Sequence, residues 1–120
     1  MADFQPSSHG NIQILSVSGR LDPQGGKDFK DAITHLTDSH PSSDIIVDLE
    51  HLDYMASAGF RELFMAGRKL DRAGARLVVS SLRGEVKRVF ELAGFDTAYR
   101  LFETRQEAID YLLAPREPRE

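Results

Sequence analysis

Apolar residues alternate along the chain between the short period typical of strands and the wider spacing typical of helices. β-Branched residues at 11–18 and three consecutive aliphatic residues within 44–50 predict two strands, the second covered on both faces. Shorter strands are predicted at 76–80 and 100–102. Between the strands, apolar positions three or four residues apart predict helices. The alternation indicates an α/β fold with crossover connections.

Boundary signals accompany the predicted helices. Asp22 precedes a proline, which is typical of an N-cap followed by the first helical residue. A second helix is expected to begin at Ser57 and close near Gly74, and a third to end at Gly94 in a left-handed cap. Thr104, with a glutamate three residues later, predicts a capping box for the last helix.

Each helix is expected to bury one apolar stripe against the sheet. The predicted stripes are Phe29, Ala32, Ile33 and Leu36; Phe60, Leu63, Phe64, Gly67 and Leu70; Val86, Val89, Phe90 and Ala93; and Ala108, Ile109 and Leu112.

The two ends of the chain carry weaker signals. Residues 1–10 are polar and turn-rich, which predicts at most a short edge strand around Phe4. Residues 114–120 hold two prolines and alternating charges, which predicts a flexible tail. Because no linker or repeat interrupts the chain, 1–120 is expected to be a single domain with its core at about 11–113.

Composition excludes several classes of function. The 120 residues contain no cysteine, which removes thiol nucleophiles and cysteine–zinc sites. The net charge of −4 argues against a nucleic-acid partner. No apolar run approaches the length of a membrane span, and no signal peptide is evident, so we expect a cytoplasmic protein without a membrane partner. The four histidines lack metal-ligand spacing, so no metal or cofactor is expected.

Ser57 lies where a buried strand passes into a helix. A hydrolase nucleophile would need glycine two residues earlier, but Met55 stands there, and all four histidines precede the serine. We therefore expect no enzyme and no catalytic residue. Two interpretations of Ser57 remain: it caps the helix through its hydroxyl, or it carries a phosphate that the helix N-terminus stabilises.

Three stretches resemble the STAS domains of bacterial anti-sigma factor antagonists. The signature is DLEHLDYMASAGF from Asp48 to Phe60, similar to the family pattern D-L-x-x-(L/V)-x-(F/Y)-M-D-S-(S/T)-G-(L/F). Val17–Asp22 is similar to the family's L-x-G-(E/R)-L-D turn, and Val86–Phe95 to its later helix. The likeness covers roughly residues 11–113, with the motifs in the family's order.

The resemblance implies a STAS-type α/β fold, with a mixed sheet of four to five strands and helices mainly on one face. It implies partner switching: the chain binds an anti-sigma factor, usually a serine protein kinase, until that kinase phosphorylates Ser57. A serine phosphatase restores binding. The sequence departs from the pattern at Ala56, where the family has an acidic residue, and at Ala58, where it has a hydroxyl.

These departures favour an alternative, in which the chain is a constitutive STAS subunit of a larger signalling or transport complex and Ser57 only caps a helix. Asp22 likewise has two interpretations, as the N-cap of its own helix or as part of the partner site. The residues expected to bind the partner are Asp22, Met55, Ala56, Ala58, Gly59, Glu62 and Met65. Ala58, Glu62, Met65 and Lys69 are expected to form one exposed row beside the buried stripe.

Overall fold

A computed structural model describes residues 2–94 and 100–115, which form a six-stranded sheet and four helices. The strands are β1 (Ala2–His9), β2 (Ile12–Leu21), β3 (Ile45–Asp48), β4 (Leu52–Met55), β5 (Leu77–Ser80) and β6 (Arg100–Phe102). The helices are α1 (Pro23–Ser39), α2 (Ser57–Arg72), α3 (Gly84–Leu92) and α4 (Arg105–Leu113). The predicted α/β class is confirmed.

The sheet is mixed. Its strands lie in the order β1-β2-β3-β5-β6, and β1 is antiparallel to β2 while the other pairs are parallel. β4 lies off this path and pairs in parallel with the last residues of β2. Thus β2 has β3 beside its first half and β4 beside its second half.

The sheet has one strand more than the four to five predicted, because β4 escaped the pattern and β1 was underestimated. The short edge strand expected near Phe4 is a full strand, since β1 pairs with β2 from Ala2 opposite Gly19 to His9 opposite Ile12. Only alternate side chains at its start are partly covered, so its sequence remains polar. The strand predicted over 44–50 ends at Asp48, and the chain then turns and forms β4.

Two cores of unequal size hold the helices on the sheet. α1, α2 and α3 cover one face over the larger core, in which Phe29, Leu63 and Phe90 are fully buried. Of the described helices, only α4 covers the opposite face, over a smaller core that includes Ile46 and Ile109. The expectation of helices mainly on one face is therefore confirmed.

Several predicted boundaries are confirmed, whereas three predicted core residues are wrong. Asp22 and Thr104 cap their helices through their side chains, and Gly74 and Gly94 have positive φ after α2 and α3. The side chains that were expected to be buried but are exposed are Phe64, Val89 and Ala93. Phe64 and Val89 lie at the margins of their stripes, and Ala93 follows the last residue of α3. Phe95 and most of the tail predicted at 114–120 lie outside the described residues.

An ion pair between a buried carboxylate and a half-exposed guanidinium joins α4 to the end of β3. The Asp48 carboxylate, 2% exposed, accepts hydrogen bonds from Arg105 Nε at 2.8 Å and from the backbone N–H of Glu50 at 3.2 Å. Arg105 also donates to Ser16 Oγ at 2.7 Å. Because a buried carboxylate without a cation is costly, Arg105 stabilises the docking of α4.

We expect Arg105→Gln to lower the free energy of unfolding by about 2–3 kcal/mol, because Asp48 would remain buried without its cation. The matched control is Lys69→Gln. Lys69 pairs with Asp38 at 2.9 Å, but both side chains are more than half exposed, so its loss should cost about 0.5 kcal/mol or less. Urea denaturation of both variants measures the difference. Equal losses would contradict a structural role for the Asp48–Arg105 pair.

Candidate functional site

Two helices begin side by side at the carboxyl ends of paired strands. Leu21, the last residue of β2, lies in register with Met55, the last residue of β4. The backbone N–H of Ala56 donates to the carbonyl oxygen of Leu21 at 2.7 Å, so the two chains are joined where both leave the sheet. α1 begins two residues after Leu21, and α2 begins two residues after Met55. Their N-termini therefore form one surface.

Glycine allows this close approach. A Cβ atom on Gly26 of α1 would lie 2.8 Å from Ala58 Cβ of α2, closer than carbon atoms can pack. A Cβ atom on Gly59 would lie 2.7 Å from Met55 Cγ and would also overlap the Leu21 side chain. The first turns of α1 and α2 thus contact each other and the strand ends almost through their backbones.

The two helix starts differ in how they are capped. Asp22 Oδ1 accepts from the backbone N–H of Gly25 at 2.7 Å, which confirms the predicted N-cap of α1. At the equivalent position of α2 stands Ala56, which has no side-chain acceptor. The first-turn N–H groups of α2 therefore lack a side-chain acceptor, and only that of Gly59 donates to the Ala56 carbonyl oxygen, at 2.9 Å. These groups carry the positive end of the helix dipole.

Ser57 is the first helical residue of α2 and not its N-cap, so the interpretation of this serine as a helix cap is wrong. Its side chain is exposed, and within the described part of the chain Ser57 Oγ forms no hydrogen bond. The capping oxygen of an N-cap residue must lie one position earlier to reach the first-turn N–H groups. The hydroxyl is therefore accessible at the edge of an uncapped helix N-terminus.

The structure separates the predicted partner-binding residues into two groups. Met55, Ala56 and Gly59 are buried, with Met55 6% and Ala56 8% exposed, so they shape the turn but offer little surface. Contact of these three residues with a partner stays a prediction. The more accessible members are Asp22, Ala58, Glu62 and Met65. Ala58 and Glu62 are half-buried, and Met65 is 56% exposed.

Two arginine side chains near Ser57, Arg20 and Arg61, were not predicted as part of the site. Tyr54, 40% exposed on β4, lies under the guanidinium of Arg20 on β2, with Arg20 Cζ 4.6 Å from the ring centroid. Arg61, four residues after Ser57 on α2, is also exposed and shares its helix face. The contact between Arg20 and Tyr54 depends on the register of β2 and β4, which no local sequence pattern displays. The i, i+4 spacing of Ser57 and Arg61 is, by contrast, visible in the sequence.

The described residues hold no group of three or more histidine or acidic side chains that could bind a metal ion. None of the helices in the described part is both long and apolar enough to cross a bilayer. The chemistry available around Ser57 is thus a free hydroxyl, N–H groups without a side-chain cap, the guanidinium groups of Arg20 and Arg61, and a partly apolar surface.

Comparison with known proteins identifies the fold family. The model of the STAS domain matches residues 4–108, so the chain belongs to the STAS domain family. It is 27% identical over 104 residues to the anti-sigma-F factor antagonist RsfB of Mycobacterium tuberculosis, across 86% of this chain and 83% of that protein. Relatives of this chain are thus named anti-sigma factor antagonists, as the sequence resemblance implied.

Solved structures confirm the STAS fold. An anti-sigma factor antagonist from Mycobacterium paratuberculosis has a TM-score of 0.86 at 22% identity, covering 95% of this chain and 96% of that one. The antagonist SpoIIAA in its unphosphorylated form has a TM-score of 0.80 at 22% identity, covering 96% and 100%. SpoIIAA of Bacillus in its phosphorylated form has a TM-score of 0.71, also at 22% identity, covering 92% and 99%.

Because Gly26 and Ala58 are in contact, a larger residue at one position should be compensated by a smaller residue at the other. Gly26→Ala should lower the free energy of unfolding by about 1–3 kcal/mol, because the new Cβ overlaps Ala58 Cβ. Adding Ala58→Gly should restore part of that loss, giving a favourable coupling of about 0.5–2 kcal/mol in a double-mutant cycle measured by urea denaturation. Ala58→Gly alone is the control for helix propensity. Simple additivity would show that the two helix starts do not depend on this contact.

Proposed function

We propose that this chain is an anti-sigma factor antagonist that acts by partner switching. It binds an anti-sigma factor with serine kinase activity when Ser57 is unmodified, is released when the kinase phosphorylates Ser57, and is restored by a serine phosphatase. In this proposal the chain is a ligand and a substrate, not an enzyme, and ATP and magnesium belong to the kinase. The names of its relatives support the general role.

One observation carries the proposal: Ser57 is an exposed, unbonded hydroxyl at the first residue of an uncapped helix. A kinase needs an accessible hydroxyl, and Ser57 extends from a turn whose neighbours Met55 and Ala56 are buried. The turn is fixed by the hydrogen bond between Ala56 and Leu21, so the hydroxyl has a defined position. SpoIIAA, which has the same fold, is known in a phosphorylated form.

A phosphate on Ser57 would be stabilised without a change of fold. The uncapped first-turn N–H groups of α2 favour an anion, and Arg61 lies one turn away on the same face. The acidic residue that the family pattern has before the serine is Ala56 here, so no carboxylate at that position repels the phosphate. Release of the partner then follows from placing a doubly charged group within the contact surface.

The alternative, a constitutive STAS subunit of a larger complex, retains one supporting observation. Ala56 and Ala58 replace polar residues of the family pattern, and both are at least partly covered. Its other argument, that Ser57 serves as a helix cap, no longer stands because Ala56 occupies the N-cap position. The two functions differ in whether the chain accepts phosphate.

We expect incubation with the anti-sigma kinase and ATP to add one phosphate to the wild-type protein and none to Ser57→Ala, as measured by intact mass. Ser57→Ala should retain binding to the unmodified partner. Ser57→Asp should fold normally and weaken that binding by about 2 kcal/mol or more, because partner binding would remove its charge from water. Isothermal titration calorimetry measures both affinities.

One combination of results would contradict partner switching. If the wild-type protein binds the anti-sigma factor but accepts no phosphate, and Ser57→Asp binds equally well, the constitutive function is correct. The far-ultraviolet circular dichroism and unfolding midpoint of Ser57→Asp serve as the folding control, because the first turn of a helix tolerates an acidic residue.

Met65 provides a test of the docking surface. The side chain is 56% exposed on α2, so Met65→Asp should leave the free energy of unfolding nearly unchanged while weakening partner binding by about 1–3 kcal/mol. Leu113→Asp is the matched control, since Leu113 is 61% exposed on α4 at the opposite face of the sheet. Equal affinities of the two variants for the anti-sigma factor would place the interface elsewhere.

A further inference from the structure

A groove of about 400 Å³ runs between α1 and α2, and its lining on α2 begins at Glu62, five residues after Ser57. Ile33 of α1 and Ala66 of α2 are buried at its floor, and Met65 stands at its rim, exposed. The groove extends along α2 from Glu62 to Arg72, a length of about 15 Å at the rise of an α-helix. The molecule therefore offers a narrow apolar channel parallel to its two main helices.

The rim of this groove is basic, although the chain as a whole carries a net charge of −4. The cationic side chains that line it are Lys30, Arg68, Lys69 and Arg72, against the single carboxylate of Glu62. Lys69 is engaged with Asp38 at 2.9 Å. Lys30 and Arg72, by contrast, form no ion pair with any other residue in the described part of the chain. Arg68, whose Cζ lies 5.8 Å from the Phe64 ring centroid, likewise forms no ion pair with a described residue. Three cations without an ion-pair partner thus border an apolar floor.

We propose that this groove binds an acidic amphipathic helix of a protein partner. The apolar floor fits one face of a helix, and the unpaired cations fit acidic residues on its flanks. An extended segment is a poorer occupant, because both walls are helices and offer no free strand edge to satisfy its backbone. A length of about 15 Å accommodates roughly ten helical residues.

Binding in the groove is also expected to depend on whether Ser57 is phosphorylated. This step rests on the proposed function, in which the anti-sigma factor is the partner that presents the helix. Ser57 lies five residues before Glu62 on α2, about 7.5 Å along the helix axis. That separation is within the screening length at physiological salt, so a phosphate on Ser57 would repel an acidic helix entering the groove. Binding in the groove and phosphorylation of Ser57 would then oppose each other electrostatically.

The test measures the affinity of the anti-sigma factor for three proteins: wild type, the double variant Lys30→Glu/Arg72→Glu, and the control Lys87→Glu. Lys87 is an exposed cation on α3, away from the groove. We expect the double variant to bind at least roughly tenfold more weakly, and Lys87→Glu to bind nearly as wild type. The wild-type affinity should also fall as salt rises.

Equal affinities of the wild type and the double variant would overturn the groove proposal and leave the proposed function intact. If the wild type does not bind the anti-sigma factor, the proposed function fails, and a synthetic peptide then decides about the groove. The probe is an amphipathic helical peptide with leucine at i, i+3, i+4 and i+7 and glutamate on its flanks. Wild-type binding that is lost in the double variant, and absent for the lysine-flanked peptide, supports the proposal; no binding overturns it.

A second copy of this chain is the competing occupant. Sedimentation velocity of the protein alone distinguishes it. A dimer that dissociates in Lys30→Glu/Arg72→Glu would overturn the proposal, because the groove would then be a self-association surface. A wild type that sediments as a monomer leaves the groove available to the acidic helix.

Discussion

The parallel pairing of Leu21 with Met55 determines the rest of the site. Two strands end at the same level, their chains are joined by the Ala56–Leu21 hydrogen bond, and each continues directly into a helix. Gly26 and Gly59 let those helices begin in backbone contact. Without this constraint the N-terminus of α2 would have no fixed place relative to α1. The exposed serine, the basic groove and the apolar floor all derive their positions from this one junction.

Behind the paired ends of β2 and β4, three polar residues lie in register across the sheet. Ser16, Asp48 and Ser80 lie side by side on β2, β3 and β5, on the face covered by α4. Arg105 bonds to the first two of these residues, whereas Ser80 Oγ is buried and has no partner among the described residues. This arrangement holds α4 against the back of the sheet, at the same end as the turn that leads into β4. The front face is therefore left to α1, α2 and α3.

The sequence could predict what depends on local signals and could not predict what depends on register. Asp22, Thr104 and Gly94 follow capping rules that act within a few residues, so three helix ends were predictable. The resemblance to the STAS family was also sufficient for the fold, since the family match spans most of the chain. β1 was underestimated because its partner, and not its own composition, makes it a strand. Phe64 was misplaced because a stripe of helical period does not show how wide the facing surface is.

The same dependence on contacts between distant residues limited what the sequence could predict about the site. That Ser57 begins α2 was predictable, but its difference from an N-cap is a shift of one residue, which boundary rules do not resolve. The placement of Met55 and Ala56 depends on the pairing of β4 with the end of β2, a contact between residues some thirty positions apart. The α1–α2 groove likewise combines residues from two helices, and each helix taken alone shows only an ordinary solvated face. Chemistry made by juxtaposition becomes visible only in three dimensions.

Pro6, in the middle of β1, has a consequence for how the molecule avoids unwanted association. β1 is an edge strand, and no described strand pairs with its outer side. Proline has no N–H group, so it interrupts the row of donors that a further strand would need, and the polar residues around it reduce the gain from stacking. The β1 edge is thereby a poor template for fibrillar growth or strand exchange.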